Sequence, residues 1–255
     1  MVSSGGTGQG PGAEGAGEVA ARATWPVVAC VGVAVTALVA LHVDGVGTVD
    51  PIVQTLSDYV ALPGGYALLG VAALALAAAV WMLGAGLRGW GLTAPAAPAA
   101  LLSVASGGFV AAAVFPTNDP GTAAGPVADL HRVAGGIVLL ALPLAAWMVA
   151  RRAVESPAWR AAAPALTRLS VAVAALSVLF LLSNVPIVIS GSPIFAVLGV
   201  LQRVLYAVML VLLLVIARAA RATAVAARTA VDLPVAAAVQ ATIEGPLDER
   251  LGRTA

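Results

Sequence analysis

The chain has 255 residues, 61% of them hydrophobic and 10% charged, with a formal net charge of +1 and a mean hydropathy of +1.01. That balance excludes a water-soluble globular domain and gives no electrostatic footing for nucleic acid. A lone cysteine, Cys30, excludes an intramolecular disulfide framework and a thiolate metal cluster.

Residues 1–23 are Gly-rich, lack apolar periodicity and cannot bury a core, so a disordered cytoplasmic tail is expected there. Six apolar stretches follow, at about Trp25–Val43, Gly65–Leu87, Ala96–Phe115, Leu130–Ala150, Ala165–Ile189 and Ile194–Ala217. Each supplies roughly the 20 apolar residues that a hydrocarbon core of about 30 Å demands. Lipid offers no partner to a bare amide, so each must be a helix. The first stretch is too long for a signal-peptide core and is expected to remain as an uncleaved span. The expected fold is therefore all-α, a polytopic bundle of six transmembrane helices over residues 24–218. A mostly flexible cytoplasmic tail, 219–255, carries Pro234 and Pro246.

Orientation follows from the arginines, which supply all 13 basic residues. Arg22, Arg88, Arg151, Arg152, Arg160, Arg218, Arg221 and Arg228 fall on alternate loops and the tails, whereas Asp44, Asp50, Asp58, Asp119 and Asp129 occupy the opposite loops. Positive charge stays inside, so both termini are expected in the cytoplasm. Trp25, Trp81, Trp90, Trp147 and Trp159 cluster at the same inner ends, as an interfacial belt would. The absence of lysine and the abundance of alanine match the codon bias of a high-GC bacterium, which makes the cytoplasmic membrane the expected location.

In the first outer loop, Asp50-Pro51 resembles a helix start with Asp50 as N-cap, opening a short amphipathic segment to Ala61. Ile52, Leu56, Tyr59 and Val60 would share its apolar face, and Pro63-Gly64-Gly65 would end it. In the second outer loop Asp129 is placed to cap the fourth span, with His131 and Arg132 in its first turn beside the free amides, an arrangement suited to an anion. Arg203 lies inside the sixth stretch, about 10 to 15 Å below the start at Ile194. A charge near mid-bilayer costs about 2.5 to 3.5 kcal/mol on insertion scales and needs a partner or a polar cavity. Asp58 and Asp119 are the expected carboxylate partners. Pro186 would kink the fifth span and free a carbonyl for a neighbour such as Gln202. Six helices would then gather Asp58, Asp119, His131, Arg132, Asn184, Gln202 and Arg203 into one outward-facing polar pocket.

Ser57-Asp58-Tyr59 after the first span, Phe115-Pro116-Thr117 with Asp119 after the third, His131 in the fourth and Gln202-Arg203 in the sixth resemble the pattern of a bacterial membrane family catalogued as domain of unknown function 998. The resemblance covers about Trp25 to Ala217. In this chain Asn118 stands directly after the Pro-Thr pair, where the family pattern has the acidic residue. The resemblance implies a six-span integral membrane protein and assigns no activity, so it lends no catalytic residue.

Three function classes follow. One is a binding or transport protein that takes a small molecule or lipid in the outer pocket. The second is a structural or interaction protein whose polar cluster only stabilises the bundle. The third and weakest is a hydrolase with a metal held by His42, His131 and carboxylates, since neither His-x3-His nor HExxH spacing occurs. No phosphate-binding glycine loop ending in Lys-Ser/Thr, no Cys-x-x-Cys and no nucleophile elbow is present, which argues against an enzyme and calls for no cofactor or metal. Membrane lipids are the expected partners; nucleic acid is not one, and nothing in the chain speaks to oligomeric state.

Overall fold

A computed structural model of the chain describes residues 24–119, 122–123, 125–190 and 197–244. Residues 1–23 and 245–255 lie outside the described residues; of the expected C-terminal tail 219–255, residues 219–244 continue the last helix. Among the described residues six long helices follow one another: α1 (Trp25–Asp44), α2 (Gly65–Gly86), α3 (Ala96–Val114), α4 (Pro126–Glu155), α5 (Ala163–Ser190) and α6 (Leu198–Glu244). Each contains a stretch long and apolar enough to cross a membrane, that of α6 ending at Thr223. Two short 3-10 turns, Leu56–Ala61 and Arg160–Ala162, sit in the connections.

Each helix packs on its neighbours in sequence, and α6 returns to α1 and α2, so the bundle closes on itself. Small residues make close packing possible: Ala79, Ala105, Ala145 and Ala153 are fully buried among Leu83, Leu102, Leu142, Leu166 and Leu212. Lipid is as apolar as leucine, so van der Waals fit between helices has to supply much of the association. At Gly108 the closeness is quantitative, since a Cβ there would lie 2.8 Å from Val138 Cγ2 and 3.0 Å from the Ala134 carbonyl. At Gly107, Gly135 and Gly136, by contrast, a Cβ would meet nothing within 4 Å.

At the end of the bundle that carries the termini, the α2–α3 and α4–α5 connections lock together. The buried Trp159 indole donates to the Trp90 carbonyl at 2.8 Å, and Thr93 N–H donates to Ser156 Oγ at 3.0 Å. Trp90 and Trp159 are therefore buried struts and not members of an interfacial belt, whereas Trp25, Trp81 and Trp147 are exposed. Arg151 and Arg221 lie over the Trp147 and Trp25 rings.

The opposite, distal end holds a second, smaller core of Leu41, Val49, Leu56, Tyr59 and Leu62, with Leu38, Leu68, Leu69 and Tyr206 against it. It lies beneath the α1–α2 connection, which folds as a cap. The expected helix from Pro51 to Ala61 does not form. Asp50 Oδ1 accepts from Ile52 N–H at 2.8 Å to make a single turn, and the chain restarts at Thr55 as the 3-10 turn. Asp58 closes that turn by accepting twice from Thr55, whose N–H and Oγ1 both donate to Asp58 Oδ2, at 2.6 and 2.9 Å.

Candidate functional site

Arg203 is placed by α6, five residues inside its first residue Leu198, which on helical rise is about 7.5 Å from the distal end. That is shallower than mid-bilayer. Its guanidinium reaches back to the cap and to α1. Nε–H donates to His42 Nε2 at 2.8 Å, Nη1 donates to the carbonyls of Gln54 at 2.8 Å and Gly199 at 3.0 Å, and Nη2 donates to the Tyr59 hydroxyl at 3.1 Å. The same guanidinium lies over the Tyr59 ring, 5.5 Å from its centroid. His42 Nδ1 is 2.6 Å from the Leu38 carbonyl, which can only accept, so the ring proton belongs on Nδ1 and Nε2 is free to accept from Arg203.

Every partner of Arg203 among the described residues is therefore neutral. Among the described residues no carboxylate lies within ion-pair distance of it, which corrects the expectation of Asp58 or Asp119 as its counter-ion. Asp58 stays within its own turn, capping Thr55, because its Oδ2 finds two donors there without ordering a long side chain across the cap.

Close backbone approach makes this geometry possible. The Pro51 and Gln54 carbonyls press on α6 at Gly199, where a Cβ would collide with both, and Val200 N–H donates to the Ile52 carbonyl at 3.2 Å. Tyr59 is wedged likewise between Gly45 and Gly65 and is 1% exposed. Next to Arg203, the buried Gln202 Oε1 accepts from Leu56 N–H at 2.6 Å, satisfying an amide at the start of the 3-10 turn. Gln202 thus serves the cap through its carbonyl oxygen.

The remaining expected residues are not in this cluster. His131 Nδ1 faces the carbonyls of Phe115 at 2.8 Å and Ala112 at 3.2 Å, tying α4 to the end of α3. Arg132 donates to Asp129 at 3.0 Å and to Asn118 Oδ1 at 3.2 Å. The helix begins at Pro126 after Gly125, so Asp129 is a first-turn residue and not the cap. Asp119 is exposed, and its backbone carbonyl accepts from Thr122 and Asn118. Asn184 donates to Phe180 O within its own helix at 2.7 Å. The expected seven therefore divide. Asp58, Gln202 and Arg203 meet at the cap; His131, Arg132 and Asp119 lie at the α3–α4 connection; Asn184 joins neither. An apolar groove of about 500 Å³, lined by residues such as Trp81, Gly107, Val110 and Phe115, contains none of the seven.

His42 and Tyr59, neither of them among the seven, complete the site. His42 ends a span, and Tyr59 follows Asp58. Their link to Arg203 spans 161 and 144 residues, beyond the reach of any local pattern.

The family model described as protein of unknown function (DUF998) matches residues 28–219. The chain belongs to this family. No curated protein and no solved structure matches it. The matched stretch contains both polar clusters and nearly all of the six apolar stretches, so the family is represented here by a multi-pass integral membrane protein in contact with lipid.

Proposed function

We propose that the protein resides in a bacterial cytoplasmic membrane with both termini, and the tails 1–23 and 219–255, on the cytoplasmic side, and that its distal cap is a periplasmic ligand-binding site for a small molecule or lipid. The protein binds and does not catalyse. Arg203, Tyr59 and His42 form the centre of the site, with Gln202 and Asp58 holding the cap in place. The observation that carries this reading is the half-buried Arg203, whose guanidinium has only neutral partners among the described residues. A charge withdrawn from water is costly when nothing of opposite sign answers it, and an anionic ligand would supply that sign.

The test is a thermal-unfolding screen of the purified protein in detergent against small anions and lipids, with Arg203→Gln beside the wild type. Stabilisation of the wild type that Arg203→Gln loses supports the reading. Equal responses of the two proteins defeat it. The cap contacts favour a second reading, since Gln202 with Leu56 and Val200 with Ile52 also serve a purely structural clasp. On that reading Arg203→Gln lowers the unfolding temperature and changes no ligand response.

A further inference from the structure

We infer a headgroup site for an anionic phospholipid at the end of the bundle that carries the termini, where Arg218 and Arg221 of α6 meet Trp25 of α1. It lies at the opposite end from the cap and needs only that the chain sits in a membrane, whichever way it faces.

Arg221 Cζ lies over the Trp25 ring, 4.8 Å from its centroid. That contact joins the last helix to the first and spends none of the five N–H donors of a guanidinium. No described residue accepts from them, nor from the Trp25 indole N–H. Arg218 precedes Arg221 by three residues, so it shares a face of α6, and it is exposed and without an ion pair among the described residues. Glu155, the last residue of α4 at the same end, is taken up by Arg152 at 3.0 Å. Two guanidiniums with open donors therefore stand on one exposed face. Phosphate is the group that such a fork matches, and a second fixed cation beside it disfavours a headgroup carrying its own ammonium. The comparable Arg151–Trp147 contact lies along one helix and has the engaged Arg152 as its neighbour, so it lacks the second open cation.

Depth and surroundings select a lipid over free phosphate. On helical rise Arg218 and Arg221 are about 30 and 34 Å from Leu198, and a hydrocarbon core is about 30 Å thick, so both arginines reach headgroup level. Trp25, 57% exposed, is a residue type that anchors at that level. An apolar, exposed stripe then descends each helix at helical spacing: Leu214 and Val211 below Arg218, Val28 and Val35 below Trp25. A phospholipid covers these stripes with its chains while its phosphate meets the arginines. A free phosphate gains nothing from them.

The experiment is native mass spectrometry of the full-length protein in detergent, titrated in turn with phosphatidylglycerol, phosphatidylethanolamine and inorganic phosphate. The variants are Arg221→Gln, Trp25→Leu and Arg218→Gln, with the exposed Arg88→Gln as the control for charge at the same end. Saturable phosphatidylglycerol binding that exceeds phosphatidylethanolamine binding, weakens about tenfold in Arg221→Gln and measurably in the other two variants, and survives Arg88→Gln supports the inference. An equal loss in Arg88→Gln overturns it as diffuse surface charge. Lipid binding indifferent to all the substitutions overturns it as annular solvation. Inorganic phosphate binding with the same dependences, and no lipid preference, overturns the lipid source. Arginine-dependent binding that Trp25→Leu leaves intact overturns the part given to the ring. Lipid binding lost in Arg203→Gln and kept in Arg221→Gln belongs to the cap, which overturns this site and leaves the cap reading standing. All three site residues named for substitution are exposed, so unfolding midpoints equal to wild type without added lipid are expected; should one variant fall short, Arg218→Gln, which touches no ring, decides by itself.

Discussion

Replacing Gly199 by alanine should destabilise the protein, against the ordinary preference of a helix. Alanine normally exceeds glycine inside a helix by up to about 1 kcal/mol. Here the added methyl meets the Pro51 and Gln54 carbonyls, so the cap must retreat from α6. Retreat breaks the Val200–Ile52 backbone hydrogen bond and the Arg203–Gln54 hydrogen bond. A neutral hydrogen bond contributes about 1 kcal/mol and one to a charged group about 1.5 to 3 kcal/mol. After the helix gain is subtracted, the expected net loss is about 1 to 3 kcal/mol. The measurements are the midpoint of unfolding in mixed SDS micelles and hydrogen exchange at the Val200 and Leu56 amides, both of which should lose protection. Gly107→Ala is the control, since nothing lies within 4 Å of the new methyl; its expected effect is neutral to slightly stabilising. A Gly199→Ala protein as stable as the wild type, with unchanged exchange at Val200, would refute the close approach of cap and helix.

Other outcomes follow from the same contacts. Gln202→Leu leaves the Leu56 amide buried without its acceptor and should cost about 1 to 3 kcal/mol in the same unfolding assay, with faster exchange at Leu56. Trp159→Phe deletes the donor to the Trp90 carbonyl while keeping most of the ring volume, so a loss of about 1 kcal/mol or more is expected, read as a lower unfolding midpoint. Asp119→Ala should leave stability within about 0.5 kcal/mol of wild type, because its side chain is exposed and away from Arg203. Reporter fusions after Thr223 and in the cap at Val46 should report opposite sides of the membrane, with the first cytoplasmic; the reverse would invert the arginine-based orientation.

The helical frame was readable because lipid leaves few options: about 20 apolar residues without charge must form a helix, and the observed starts at Trp25, Gly65 and Ala96 coincide with the expected ones. The cap was misread for a local reason. Asp50-Pro51 and Thr55-x-x-Asp58 are both helix-start signals, and the second one governs the 3-10 turn while the first closes a single turn. Likewise Pro126 behind Gly125 marked the true start of α4 three residues before Asp129. The partners of Arg203 were hidden for a different reason. Reasoning from charge asks for a carboxylate, yet a guanidinium has five donors, and neutral acceptors can occupy most of them without neutralising it. His42 and Tyr59 are ordinary in their local context and become partners only when α1, the cap and α6 meet in space.

The most direct test of the Arg203 clasp is a double-mutant cycle in mixed micelles combining Arg203→Gln with Tyr59→Phe, with Arg203→Gln and Asp119→Asn as its companion. The contacts at Arg203 predict a coupling above about 0.5 kcal/mol for the first pair and additivity for the second. Additivity between Arg203 and Tyr59, with coupling between Arg203 and Asp119 in its place, would contradict a guanidinium held by neutral partners.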